Sequence, residues 1–208
     1  MDNKNLRSIP LDERMYNTKV NDLLYAAILK ETTFFNECRY ISAANYNELR
    51  PCLRDTFNLI PRTYLNHFKK LLDLGLIVYD CKFTPEAYIF PPFEEGNRYQ
   101  LIEVDTIEKI IEANILHGIK LYAFLLNKFL FYKEKYNFSF SQLAEALGWS
   151  KTNRDATKII HAAMDELRSL GLVNWEEYMW NDPATNTPVR KQRLTFVYIP
   201  RGIVSSKS

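Results

Sequence analysis

Glycine is scarce in this chain, at 6 of 208 residues, and proline contributes only 9. That composition excludes a collagen-like repeat, a Gly/Ser linker and a disordered chain. Neither sign of charge dominates: 27 Lys and Arg stand against 25 Asp and Glu, a formal net charge of +2. A polycationic nucleic-acid coat and an acidic tail are excluded, while a local basic patch is not. No apolar run reaches the ~20 residues that cross a bilayer. The most apolar stretch, 115–132, is interrupted by Lys120, Asn127 and Lys128, so no membrane partner is expected. The opening Met1-Asp-Asn-Lys-Asn-Leu-Arg7 has charges and no apolar core behind them, and does not read as a secretory signal. Cys38, Cys52 and Cys81 are odd in number and form no CxxC, so they read as reduced, buried thiols of a cytoplasmic protein. His67, His117 and His161 lie far apart, at no zinc spacing to a cysteine, and no metal site is expected.

Enzyme signatures are missing too. The glycines at 75, 96, 118, 148, 171 and 202 are isolated, so no loop cradles a phosphate. Gly-x-Ser-x-Gly, His-Glu-x-x-His and paired histidines do not occur. Glu94-Glu95 and Glu176-Glu177 read as solvated carboxylates rather than an acid/base pair. Neither an enzyme nor a cofactor is expected.

What is present is a repeat. Leu71-Leu-Asp-Leu-Gly-Leu-Ile77 returns 96 residues on, from 71 to 167, as Leu167-Arg-Ser-Leu-Gly-Leu-Val173. Upstream, Leu24-Tyr-Ala-Ala-Ile-Leu29 matches Leu121-Tyr-Ala-Phe-Leu-Leu126, and Ile41-Ser42 with Asn47-Glu-Leu49 parallels Phe138-Ser139 with Gln142-Leu143. Three matches in one order imply two similar units in tandem; two copies are too few for a solenoid.

Each unit reads alike. In the first, Val20, Leu23, Leu24, Ala27 and Ile28 have helical spacing behind a cap at Asn17 or Thr18. A short strand follows at Arg39–Ser42, then a helix within Asn45–Asp55, with Pro51 as a kink or restart. Asn58–Pro61 is a turn, with Pro61 at the first position of a third helix that buries Tyr64, Leu65, Phe68, Leu71 and Leu72. Gly75 ends that helix in a left-handed cap, and Leu76–Tyr79 pairs with Ala87–Phe90. In the second, a helix spans about Ile115–Lys135, a strand Phe138–Ser141, and a helix Gln142–Leu147 capped by Ser141. Gly148–Ser150 is a turn. A third helix, about Lys151–Leu170, buries Ala156, Ile159, Ile160, Ala163, Leu167 and Leu170, and Gly171 caps it. Val173–Trp180 and Val189–Ile199 form a hairpin. Between the units, 94–114 reads as a linker with a helix at Thr106–Ala113.

Helix, short strand, helix, tight turn, helix and β-hairpin is the order of a winged helix-turn-helix, and it resembles that fold twice, over about 15–90 and 115–200. The expected fold is mainly α with small antiparallel β-hairpins as wings: two tandem winged-helix domains, 1–93 and 115–208. In such a domain the third helix enters the major groove and the wing touches the backbone or minor groove. Removing the core positions leaves Arg62, Thr63, Asn66, His67, Lys69 and Lys70 on the first third helix, and Lys151, Asn153, Arg154, Thr157, Lys158 and His161 on the second. These side chains suit base edges and phosphates. The second wing adds Arg190, Lys191 and Arg193, with no nearby acid in its strand, so the second unit is expected to be the stronger binder. A protein–protein module is the competing use of the fold. Aromatics are abundant, at 14%. Phe124, Phe129, Phe131, Tyr132 and Tyr136 crowd the long helix on several faces, which makes it a pillar between units or part of a dimer contact. Trp149 reads as a packing residue, and Trp175, Tyr178 and Trp180 as an exposed patch.

The second unit also resembles one family. Lys120–Leu126, Phe138–Gly148 and Lys191–Phe196 are similar to the tandem winged-helix replication initiators of bacterial plasmids and phages. In that family the first domain often dimerises and the second reads repeated origin sites. The resemblance implies origin binding by Lys151, Asn153, Arg154, Lys158, Arg190 and Arg193, with duplex DNA, a second copy and replication proteins as partners. Transcriptional repressors and phage replisome organisers are similar as well, as is an adaptor that docks a replication protein.

Overall fold

Asn21 opens the first helix. Its Oδ1 accepts the Leu24 N–H at 2.9 Å, satisfying a donor that the first turn leaves free. In the computed structural model that describes residues 8–199, apart from 17, 19, 36–37, 83–84, 92–98, 134–135 and 151, α1 therefore runs Asp22–Lys30. The cap expected one turn earlier does not form: Thr18 instead donates to the Met15 carbonyl, and Asn17 lies outside the described residues. β2 (Thr33–Phe35) and β3 (Cys38–Ser42) follow, then α2 (Ala43–Thr56), which Ser42 caps and which continues through Pro51. α3 (Pro61–Asp73) starts with Pro61 in its first turn. β4 (Val78–Asp80) and β5 (Ala87–Phe90) pair antiparallel as expected.

The segment read as a linker contains more than a helix. β1 (Ser8–Asp12) pairs antiparallel with β6 (Tyr99–Glu103), and α4 (Val104–Glu112) follows directly. Part of that segment, including Glu94-Glu95, lies outside the described residues. α5 (Gly118–Phe131) is shorter than expected, and the predicted end at Lys135 also lies outside them. β7 (Asn137–Phe138) leads into α6 (Phe140–Ala146). The cap is Ser139, not Ser141: Ser139 Oγ accepts the Gln142 N–H while Gln142 Oε1 accepts the Ser139 N–H, and this reciprocal pair fixes the start. α7 (Arg154–Ser169), β8 (Val173–Asn181) and β9 (Pro188–Val197) complete the described chain. Among the described residues there are thus seven α-helices and three small antiparallel sheets.

The duplication seen in the sequence is present in the topology. One sheet has the order β2-β3-β5-β4 and another β7-β9-β8. In both, the strand before the second helix lies next to the last strand, which pairs with the strand after the third helix. The third helices end alike. Gly75 (φ 63°) donates to Leu72 O and Leu76 to Leu71 O; Gly171 (φ 69°) donates to Arg168 O and Leu172 to Leu167 O. Glycine is required there because other L-residues resist positive φ. The turn before each third helix also matches. Asn58 (φ 48°) donates to Asp55 O and Leu59 to Arg54 O; Gly148 (φ 90°) donates to Glu145 O and Trp149 to Ala144 O.

The two halves share one core. α5 is the pillar, with residues 118–126 all buried, and it packs against α1, α4 and α7. Leu130, Phe131 and Tyr132 at its far end are exposed. A buried polar contact joins the halves. Asp22 of α1, 1% exposed, accepts the backbone N–H of Lys120 at 3.0 Å and lies 3.5 Å from His117 Nδ1. Lys120, equally buried, donates from Nζ to Thr18 O at 3.2 Å and stands over the Trp149 ring. His117 precedes α5 without capping it through its side chain, so the carboxylate from α1 serves an N–H of that first turn.

Candidate nucleic-acid interface

Helical spacing sets which side chains α3 presents outward. Tyr64, Phe68 and Leu71 point into the core, and Tyr64 O–H pairs with Tyr46 O–H at 2.8 Å. At 100° per residue, Arg62, Leu65, Asn66, Lys69 and Lys70 fall on the other side, and all five are exposed. Thr63 and His67 sit at the margin, half-buried. Burial, and then the neighbouring Lys70, lower the His67 pKa; its Nδ1 is buried and makes no hydrogen bond. Among the described residues none of Arg62, Lys69 and Lys70 is ion-paired.

Leu65 corrects an expectation. It was expected in the core but is 54% exposed, because it lies 100° round the helix from Tyr64. Ile60, just before the helix, is also exposed. Ile159 and Leu170, expected to be buried on α7, and Leu72 on α3 are only half-buried; of the three cysteines expected to be buried, Cys38 is half-buried and Cys52 and Cys81 are exposed.

α7 differs from α3 at equivalent positions. With Leu71 set on Leu167, Arg62 corresponds to Lys158, Asn66 to Ala162, Lys69 to Asp165 and Lys70 to Glu166. Three cations and an amide on α3 stand where α7 has one cation, an alanine and two carboxylates. Two polar side chains of α7 also have partners: Lys158 Nζ is 3.7 Å from Asp155, and His161 Nδ1 is 3.0 Å from Asp165. His161 additionally packs on Phe140 at 4.3 Å between centroids, so it is a half-buried packing residue. Asn153 is the N-cap of α7. Its Oδ1 accepts the N–H groups of Asp155 and Ala156, which removes the acceptor that a paired contact with adenine needs. Thr157 Oγ1 donates back to Asn153 O. Arg154 is exposed and has no ion pair among the described residues, while Lys151 lies outside them.

The cations of β9 have partners that the strand alone does not reveal. Register sets Glu176 opposite Arg193 and Glu177 near Arg190, giving ion pairs of 3.6 and 3.4 Å. Lys191 Nζ stands 3.4 Å above the Trp180 ring centroid, and the Arg193 guanidinium 4.6 Å above that of Tyr178. These exposed contacts hold the cations in place at small net stabilisation. From Glu177 to Asn181 the hairpin extends five residues, ~16 Å at ~3.3 Å each. Of the three aromatics expected in an exposed patch, Trp175 is buried against Phe138 and Phe140, and Tyr178 and Trp180 are half-buried. Trp149 packs on His117 and Lys120 as expected.

Unpaired cations therefore cluster on α3, whereas those described on α7 and its hairpin are mostly partnered, Arg154 excepted. No group of three or more His, Cys, Asp or Glu able to hold a metal occurs among the described residues, and no described helix is long and apolar enough to cross a membrane. Comparison with protein-family models, with curated proteins and with solved structures finds no match to the chain.

Proposed function

We propose that this protein binds double-stranded DNA as a tandem winged-helix protein, with α3 as its main reading helix and the β8–β9 hairpin as a wing. The observation that carries the reading is the α3 face, where Arg62, Lys69 and Lys70 surround Asn66 with no carboxylate drawn to them. Arginine matches guanine O6 and N7, asparagine matches adenine, and lysine suits phosphate. The biological role proposed is replication initiation on a plasmid or phage, through origin binding. Duplex DNA, a second copy of the chain and replication proteins are the partners that go with it, in the cytoplasm.

The test is fluorescence anisotropy of the full chain with labelled duplexes, one random and one carrying direct repeats found beside its gene, at 50 and 200 mM salt. Two phosphate contacts from α3, by Lys69 and Lys70, give a slope of about −1.8 in log affinity against log salt, so affinity falls about 12-fold between the two conditions. Tighter binding to the repeats supports the initiator role. No retention of either duplex at 50 mM overturns the reading, and favours a protein adaptor.

A further inference from the structure

Resting on the reading of α3 as a duplex-binding helix, we infer that Leu65 is a specificity-determining residue that recognises the C5-methyl group of thymine. On the outward face of α3 it is the one large apolar side chain among the four residues at its centre. Arg62 precedes it by three positions and Lys69 follows it by four, spacings that set Cβ atoms ~5–6 Å apart on a helix surface. Asn66 is its direct neighbour in the chain. The leucine therefore stands inside a rim of side chains that either donate to base edges or hold phosphates, and at 54% exposure more than half of it meets water.

An isolated surface leucine needs no explanation of its own. Its setting supplies one here. The unpaired cations around it complement a polyanion, and a polyanionic duplex offers one strong apolar feature in its major groove, the thymine methyl. The repeat makes the same point by contrast. The equivalent position on α7 is His161, which turns onto Phe140 and pairs with Asp165, beside Ala162 and Glu166. Where the rim is acidic, the apolar outward side chain is absent. Along α3, Arg62 and Asn66 are ~6 Å apart at 1.5 Å per residue. That is close to two base steps of 3.4 Å. Leu65 lies between them, so the thymine falls within one or two steps of the base that Arg62 or Asn66 contacts.

Removing one buried methyl group weakens an interaction about fourfold. The test uses duplexes selected by the full chain from a random 20-base-pair pool, then resynthesised with deoxyuridine in place of thymidine. Wild-type protein is expected to lose about fourfold in affinity for each contacted thymine replaced, and Leu65→Ala to bind the thymine and uracil duplexes equally. Leu65→Met, which keeps an apolar tip, retains the preference. Duplex binding by wild type that is indifferent to the methyl overturns the role of Leu65 and leaves the DNA reading intact. A Leu65→Ala protein that keeps the full preference also overturns it. Failure of every duplex to bind refutes the DNA reading itself and points to an acidic protein partner for this face.

Discussion

Substituting Asp22 strikes the contact that joins the two halves. The carboxylate is almost fully buried; one oxygen accepts the Lys120 N–H and the other faces His117 Nδ1. Lys120 is buried as deeply, and burial lowers its pKa against the opposing pull of Asp22. Asp22→Ala removes the acceptor of that N–H and the carboxylate charge that stabilises the buried Lys120 ammonium. Stripping a buried N–H of its charged acceptor costs about 3 kcal/mol. For a chain of this size, with a urea dependence of about 2 kcal/mol per molar, the unfolding midpoint falls by about 1.5 M. Asp22→Asn keeps an oxygen for the N–H and loses the charge, so it costs about 2 kcal/mol. Adding Lys120→Met to Asp22→Ala removes the stranded charge and restores much of the loss. The assay is urea unfolding followed by tryptophan fluorescence at pH 7. A midpoint for Asp22→Ala within about 0.3 M of wild type, taking the same ~2 kcal/mol per molar, refutes the reasoning. So does a double variant less stable than the single.

Two further outcomes follow from the candidate interface. Asn153→Ala removes the cap of α7 and lowers stability by about 1 kcal/mol, or ~2–4 °C in a thermal melt, while duplex affinity stays near wild type; a large affinity loss with unchanged melting shows that Asn153 reads a base instead. The folded-state pKa of His67 is lowered, so between that value and 6.5 the unfolded chain binds more protons, and stability falls as pH drops through this window. The urea midpoint of wild type should therefore decline between pH 7 and 5 more steeply than that of His67→Gln, and parallel declines contradict this.

Local signals in the sequence carried the repeat well. The Leu-Gly-Leu ends of α3 and α7 are legible because a left-handed cap needs glycine next to a leucine that folds back. The buried stripes of both helices follow from 3.6-residue spacing. Three features were not legible, each for a physical reason. β1 and β6 pair across some ninety intervening residues, and neither strand is long enough to show its own alternation. Asn58 takes the position that Gly148 takes in the second half, but asparagine does not announce a left-handed turn as glycine does. The cations of β9 look free in the sequence because their acids lie on the other strand, and only the register of β8 with β9 reveals the pairs. At the candidate site, residue type alone does not reveal the structural part a side chain plays: Asn153 is a helix cap and His161 a packing residue, whereas Leu65, expected in the core, lies outside it.

The central claim is that duplex DNA meets α3 rather than α7. The most direct measurement compares the salt dependence of duplex binding for Arg62→Ala/Lys69→Ala/Lys70→Ala with that for Arg154→Ala/Lys158→Ala. Losing the phosphate contacts of Lys69 and Lys70 flattens the slope by about 1.8. The α3 variant is predicted to show this flattening and a large loss of affinity, with the α7 variant close to wild type. A full loss in the α7 variant with the α3 variant unchanged contradicts the account.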